Sequence, residues 1–416
     1  MKTTRRNFLY GATAVGASLV AGAASAQDLM SDVLSFKKRG NWDDQFDAEV
    51  TGGSGKVSTT VPIFSAQTVS YVEQAINTYS QIVAQGGWQT VPNTKKRQLG
   101  VIDPDVVALR QRLIVSGDLS SRAGMSNSFD TYVDAAVKRF QARHGLPDDG
   151  VLGEYSYAAM NVSAPVRLGQ LQTNLTRLRE KAGTLGNRYV LVNIPAAQIE
   201  AVENGRVVQR HTAIVGKIDR QTPLLASKIN EIIVNPYWNA PVSIVRKDII
   251  PLMRKDPQYL TKNNIRILGP QGEIDPQTID WSTEDAAKFR FRQDPGKINA
   301  MASVKINFPS PDGVYMHDTP SQGLFNKLMR FDSSGCVRVQ NVRDLVTWIM
   351  RDTPGWDRQH FEQTIKSGEN TPVAITNPVP VYFQYISAWA TSDVVNFRDD
   401  IYHLDGAAEL QLSSAI

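Results

Sequence analysis

Cys336 is the one cysteine in the chain, and His317, one of five histidines, stands nineteen residues before it in the stretch MHDTPSQGLFNKLMRFDSSGCVRVQN. A thiol and an imidazole are the parts of a nucleophile and its base. The thiolate is the reactive form, and a thiol near its ordinary pKa of about 8.5 is mostly protonated at neutral pH. A histidine that takes the proton generates the nucleophile as an ion pair. Gly335 permits a sharp turn and the close approach of a substrate carbonyl. Ser333, Ser334 and Gly335 form a short polar loop ahead of the apolar run Val337, Val339, Val342 and Leu345. A loop leading into an element presents free main-chain N–H groups, the donors that an oxyanion needs. Arg338 adds a fixed positive charge that favours the thiolate or takes a substrate carboxylate. A lone cysteine is more often a small buried hydrophobe than a nucleophile. The histidine, the spacing and the run Ser-Gly-Cys-Val-Arg together shift the balance toward catalysis.

This stretch resembles the catalytic motif of the L,D-transpeptidases, the YkuD-type catalytic domain. In that family a histidine is followed, after a gap of this size, by Ser/Thr-x-Gly-Cys. Many members have histidine at the x position; this chain has Ser334, as in the large periplasmic, YcbB-like branch, whose wording HDTPSQGLF and SSGCVRV is close to. The resemblance implies that Cys336 is the acyl-accepting nucleophile, that His317 is its base, and that the main-chain carbonyl of Asp318 orients the imidazole. It implies an oxyanion held by N–H groups at Gly335 and Cys336. Tyr315 matches a family tyrosine that assists, or is an ordinary strand residue. Arg338, Ser334 and Ser333 are the expected substrate-binding residues, with Arg338 acting through charge.

The rest of the chain must position these groups. At 416 residues it is long enough for two or three cores. A net charge of +4 gives no nucleic-acid footprint. A single cysteine excludes an internal disulfide framework and suits a reactive thiol in an oxidising compartment. Residues 1–26 read as a targeting segment. Arg5 and Arg6 form a twin-arginine pattern, a weakly hydrophobic Ala/Gly-rich run follows, and Ala24-Ser25-Ala26 is a cleavage site. The expected location is therefore the periplasm, reached by the twin-arginine route. The other reading is an uncleaved anchor, for which Phe8 to Val20 is short and Gly-rich. Residues 27–60 are polar and read as a flexible leader.

The expected fold class is α+β. Apolar residues at helical spacing predict a helix over Ser65–Gln85, the first part (61–98) of a helical scaffold whose second part (162–187) places Leu168, Leu171, Leu175 and Leu178 on one face. Residues 99–161 contain LRQRL, AVKRFQARHGL and DGVLG and resemble a peptidoglycan-binding type 1 module of three helices, used for glycan affinity or as a spacer. The catalytic domain spans 188–416. It opens with strands around an Asn204-Gly205 hairpin turn. A Lys/Arg-rich insertion over about 241–297 interrupts it, and in the related branch such a segment caps the active site. Residues Thr371 to Trp389 predict alternating strands around a turn, and Val394 to Tyr402 a final strand completing the sheet. Ser303 stands where relatives often carry glycine, a departure expected to leave the site undisturbed.

No Cys pair, HExxH or phosphate loop occurs, so no cofactor and no metal is expected. The resemblance implies an acyl transfer on peptidoglycan stem peptides, with outer-membrane proteins as a further acceptor. Two other functions share these features: an L,D-carboxypeptidase or amidase that uses water, and a non-catalytic peptidoglycan-binding structural protein.

Overall fold

Fifteen strands and a set of helices, described by a computed structural model for residues 59–392 and 394–412, place the histidine and cysteine side by side. The targeting segment, and nearly all of the leader, lie outside the described residues. Among those described, no helix is long and apolar enough to cross a membrane.

The scaffold helices form where the spacing of apolar residues requires. Helix α1 (Ala66–Ala84) begins at Ser65, whose hydroxyl accepts the Thr68 N–H at 3.0 Å, and stops at Gly86 and Gly87, both with positive φ. The next three, α2 (Val106–Val115), α3 (Thr131–Arg143) and α4 (Glu154–Asn161), make the small module. Their core of Leu109, Val133, Phe140 and Met160 is completed by Leu410 and Leu412 from the other end of the chain. Helix α5 (Ala164–Lys181) shares an apolar cluster with α1 through Val72, Tyr79, Leu171 and Leu178.

The domain that carries His317 and Cys336 is built on a nine-stranded sheet. Its strands are β1 (Arg188–Asn193), β2 (Gln198–Glu203), β3 (Arg206–Gly216), β4 (Leu225–Val234), β9 (Val304–Asn307), β10 (Met316–His317), β11 (Phe331–Ser333), β12 (Val337–Val339) and β13 (Thr371–Gln384). The order is β11-β3-β12-β10-β9-β4-β13-β1-β2, and β2 also pairs with β3, so the sheet closes on itself. Asn204 and Gly205 both adopt positive φ in the turn between β2 and β3, which a tight primed turn demands. The core-facing residues Val190, Val192, Ile232, Ile306, Met316, Val337 and Phe383 pack with helix α6 (Val342–Met350) and with Phe361 of α7 (Arg358–Ser367).

The insertion folds as a subdomain with a core of its own. Strands β5 (Trp238–Ala240), β6 (Ile265–Gly269), β7 (Gly272–Ile274) and β8 (Arg290–Gln293) make a second sheet, and helical turns cover residues 242–255. The core runs from Trp238 to Met301, wider than 241–297, because both flanks of the insertion bury side chains in it. Its charges are largely spent internally. Arg254 donates to the carbonyls of Trp281 and Ser282, Lys288 pairs with Asp285, and Arg292 stacks on Tyr237.

The C-terminal expectations need one correction. The strands expected around a turn over Thr371 to Trp389 are one long strand that runs to Gln384 and a second that begins at Ala388. Asn377-Pro378 sits where the β13–β4 register shifts between Ala374 and Val379, so an irregularity absorbs the proline and the strand continues. The final strand, β15 (Val394–Phe397), pairs with β14 (Ala388–Thr391) in a separate hairpin that packs on the scaffold helices through Trp389 and Phe397. Only β13 enters the main sheet.

Strand β10 is two residues long, and Met316 is its one core anchor. Met316→Ala is expected to lower stability by about 2–4 kcal/mol, the usual cost of an unfilled core site. Urea denaturation of the variant, set beside the native protein, checks this.

Candidate active site

Register alone assembles the site. Strands β10 and β12 pair in parallel with Met316 opposite Val337 and His317 opposite Arg338. The Val337 N–H donates to the Tyr315 carbonyl at 3.0 Å, so Cys336 lies level with Tyr315. Side chains alternate along a strand, and registered neighbours share a side. Met316 and Val337 point into the core. Tyr315, His317, Cys336 and Arg338 therefore stand together on the opposite side.

The imidazole is held in one tautomer. His317 Nδ1 lies 2.5 Å from the Asp318 carbonyl oxygen. A carbonyl only accepts, so Nδ1 carries the proton and Nε2 keeps the lone pair a base needs. The Asp318 carboxylate fixes this turn. It accepts from the Ser303 hydroxyl at 2.5 Å, the Ser303 N–H at 3.2 Å and the Thr319 N–H at 2.8 Å. The serine that departs from the family pattern is thus tied to the residue that orients the histidine, which its expected lack of effect on the site had missed.

The nucleophile loop is equally constrained. Gly335 has φ +111°, a backbone conformation that a side chain strains, so the position favours glycine. The Thr222 hydroxyl donates to the Gly335 carbonyl at 2.8 Å and accepts the Gly216 N–H at 2.9 Å. Ser333 is buried; its hydroxyl donates to the Cys336 carbonyl and accepts the Gly335 N–H at 3.2 Å. That N–H, expected to serve an oxyanion, is engaged within the loop. The Ser334 hydroxyl accepts from Arg220 Nη1 at 2.9 Å. Both serines are turned inward as supports of the loop, away from the substrate contact expected of them.

Arg220 links the loop to the capping subdomain. Its guanidinium forks onto the Asp248 carboxylate at 2.8 and 2.9 Å. Asp248 is 1% exposed, so the pair is desolvated, and removing either partner strands a buried charge. The subdomain reaches the site a second time through Trp238, which donates a hydrogen bond to the Tyr315 hydroxyl; that hydroxyl in turn bonds to the Cys336 sulfur. Nothing in the local sequence marked Arg220, Asp248 or Trp238. They come from a loop and an insertion, and only packing joins them to the cysteine.

Burial sets the protonation states. It pushes the Cys336 thiol above its ordinary pKa, against hydrogen bonds from Tyr315 and the charges of Lys305 and Arg338. Burial, helped by the charges of Arg338 and Lys305, pulls His317 down to about 3, against its bond to Asp318. Burial thus favours the neutral thiol and the neutral imidazole over their charged forms. Such a pair does chemistry when the thiol proton passes to Nε2 as sulfur attacks. Arg338 is 2% exposed and its Nη1 has no hydrogen-bond partner.

Comparison with known proteins is consistent with this geometry. Residues 187–375 match the family model described as "L,D-transpeptidase catalytic domain" (YkuD), and residues 103–160 match "Putative peptidoglycan binding domain" (PG_binding_1). A curated "Putative L,D-transpeptidase" of Haemophilus influenzae is 37% identical over 218 residues, which are 52% of this chain and 44% of that protein. The aligned stretch thus spans less than half the relative's length. Among solved structures, an L,D-transpeptidase of Xylanimonas cellulosilytica is 18% identical, with 70% of this chain and 99% of that chain covered at a TM-score of 0.24. Another, from Stackebrandtia nassauensis, is 14% identical, with 70% and 96% covered at a TM-score of 0.26. Those superpositions are too loose to carry residue correspondences.

Two outcomes are expected from the geometry. Alkylation of Cys336 by iodoacetamide should speed up with pH to an apparent pKa above that of a free thiol, with no histidine step near 6.5; rates followed by mass spectrometry from pH 5 to 10 check it. Arg220→Ala should cost about 3–5 kcal/mol of stability. Arg220→Met with Asp248→Leu should recover most of that while acylation at Cys336 stays slow, because Ser334 still lacks its donor. Denaturation and stopped-flow acylation separate the two effects.

Proposed function

We propose, from the L,D-transpeptidase catalytic domain carried by residues 187–375 and the peptidoglycan-binding module beside it, that this protein forms a Cys336 thioester with a peptidoglycan tetrapeptide stem and passes the acyl group to an amine. The observation that carries the reading is the parallel register of β10 and β12, which sets His317 and Cys336 on one side of the sheet.

The steps follow from the groups in place. The Cys336 sulfur attacks the carbonyl of the bond between the L-centre of a diamino acid and the terminal D-alanine, and its proton goes to His317 Nε2. The carbonyl oxygen becomes an oxyanion. The Tyr315 hydroxyl, bonded to Trp238 and to the Cys336 sulfur, and the main-chain N–H of Cys336 are the donors this reading assigns to it. The C–N bond breaks, His317 returns the proton to the leaving amine, and D-alanine departs. An acceptor amine then attacks the thioester, giving its proton to His317, and the thiol is regenerated. An amine on a neighbouring stem yields a 3-3 crosslink in cell wall biogenesis. A lysine of an outer-membrane protein is a further acceptor for the same thioester. Arg338, buried with an unsatisfied nitrogen, suits a carboxylate on the acyl half of the donor.

The stem peptide is periplasmic chemistry, and the twin-arginine pattern at Arg5 and Arg6 supports export to that compartment. The module offers a cleft of about 230 Å³ lined by Gln141, Asp149, Tyr155 and, from the catalytic domain, Leu328. That continuity supports a role for the module in holding the wall near the nucleophile.

Incubation with a carbapenem should give a single mass adduct that Cys336→Ala abolishes. With a tetrapeptide donor and an amine acceptor, the native protein should release D-alanine and form the crosslinked mass. Hydrolysed tripeptide alone would identify a carboxypeptidase. A folded protein with no adduct and no D-alanine release would leave only the binding role.

A further inference from the structure

Cys336, just ahead of β12, His317 on β10 and Lys305 on β9 follow one another in that order across neighbouring strands. Lys305, on β9, stands across from His317 in the antiparallel register, and Arg338, on β12, stands across from it on the other flank. Registered residues share a side of the sheet, so Lys305 belongs to the site, one strand spacing of about 4.8 Å beyond the histidine. Its Nζ rests 4.3 Å from the centroid of the Tyr315 ring. It is half-buried and has no ion-pair partner among the described residues. Glu231, the acid whose charge it feels, is bonded to the Asn307 amide at 2.8 Å.

Two cations thus flank a neutral histidine, and neither is bonded to an acid. Burying charge without a counter-ion is costly, and an anionic ligand removes that cost. The two stand on opposite flanks, two strands apart, so each suits a separate anion. Chemistry assigns them. His317 protonates the leaving amine, so that amine sits at the middle strand. The α-carboxylate of a single leaving residue is two bonds from the amine, on the side away from sulfur. Lys305 is the cation on that side. Arg338, on β12 two residues after Cys336, lies beside the acyl half.

We infer that Lys305 binds the α-carboxylate of the leaving amino acid and so restricts donors to stems whose scissile bond is the last one. The inference rests on the acyl-transfer function proposed above. A longer stem places a neutral peptide group where the carboxylate belongs and leaves the lysine uncompensated.

The test compares a tetrapeptide stem with its C-terminal primary amide, reading released D-alanine or D-alaninamide by mass spectrometry. The native protein should favour the acid by about tenfold or more in kcat/KM, mainly through KM, the scale of one charge-assisted hydrogen bond. Lys305→Met should slow both donors in common, because its charge favours the thiolate, and should in addition lose the preference for the acid. Lys305→Arg should keep most of the preference. A carbapenem adduct on Lys305→Met shows that the variant is folded with a working thiol. Equal slowing of both donors, with the preference for the acid intact, would limit Lys305 to thiolate stabilisation and overturn the inference, as would a native protein indifferent to acid and amide. No release from either donor would overturn the acyl-transfer function itself, and this inference with it.

Discussion

Two residue pairs of parallel β-structure carry the site. Strand β10 is only Met316 and His317, and its partner β12 is only Val337 to Val339. A slip of one residue between them would turn His317 into the core and Met316 toward substrate. Burial of Met316 and Val337 forbids that slip, since both are fully enclosed in the main core. The hydrophobic side of the sheet therefore decides which groups meet on its polar side. The long strand β13, between β4 and β1, ties the two halves of the closed sheet and gives the short strands a rigid frame.

The same burial shapes the chemistry. A desolvated thiol and imidazole both resist charge, so burial favours their neutral forms, and the acyl transfer proposed above would need help as the proton moves. Tyr315 bonds to the sulfur, and Lys305 and Arg338 bias it toward the thiolate. These are groups of fixed position, which stabilise developing charge without reorganising. The cations add to burial in keeping the imidazole a weak base: they lower the pKa of His317 and of the Cys336 thiol alike, disfavouring the imidazolium and favouring the thiolate.

The capping subdomain is part of this arrangement. Trp238 orients Tyr315, and Asp248 holds the arginine that holds Ser334. The nucleophile loop is thus clasped between the Arg220–Thr222 loop of the catalytic domain and the insertion beyond it. Serine at position 334 is explained by this clasp, because a small hydroxyl is what the Arg220 fork reaches.

Much was legible in the residues. The motif around Cys336, the single histidine at the right distance, the module's helices and the scaffold pair all have local signals: spacing, capping residues and glycine turns. The Asn204-Gly205 hairpin is of the same kind. Three things were not legible. Thr371 to Trp389 read as strands around a turn of no stated place, and only pairing with β4 on either side of the register shift shows that the strand runs on through Asn377-Pro378. Ser303 looked incidental because its partner, Asp318, is fifteen residues away across a strand pair. Arg220, Asp248, Trp238 and Lys305 were silent because charge, length and position in a loop or strand are common properties. The sequence by itself determined which groups could react and the elements that carry them, since those depend on residue type and short-range spacing. Which side chains surround the thiol, and that burial favours its neutral form, was decided by the tertiary structure alone, because register, burial and the meeting of distant segments set the local field.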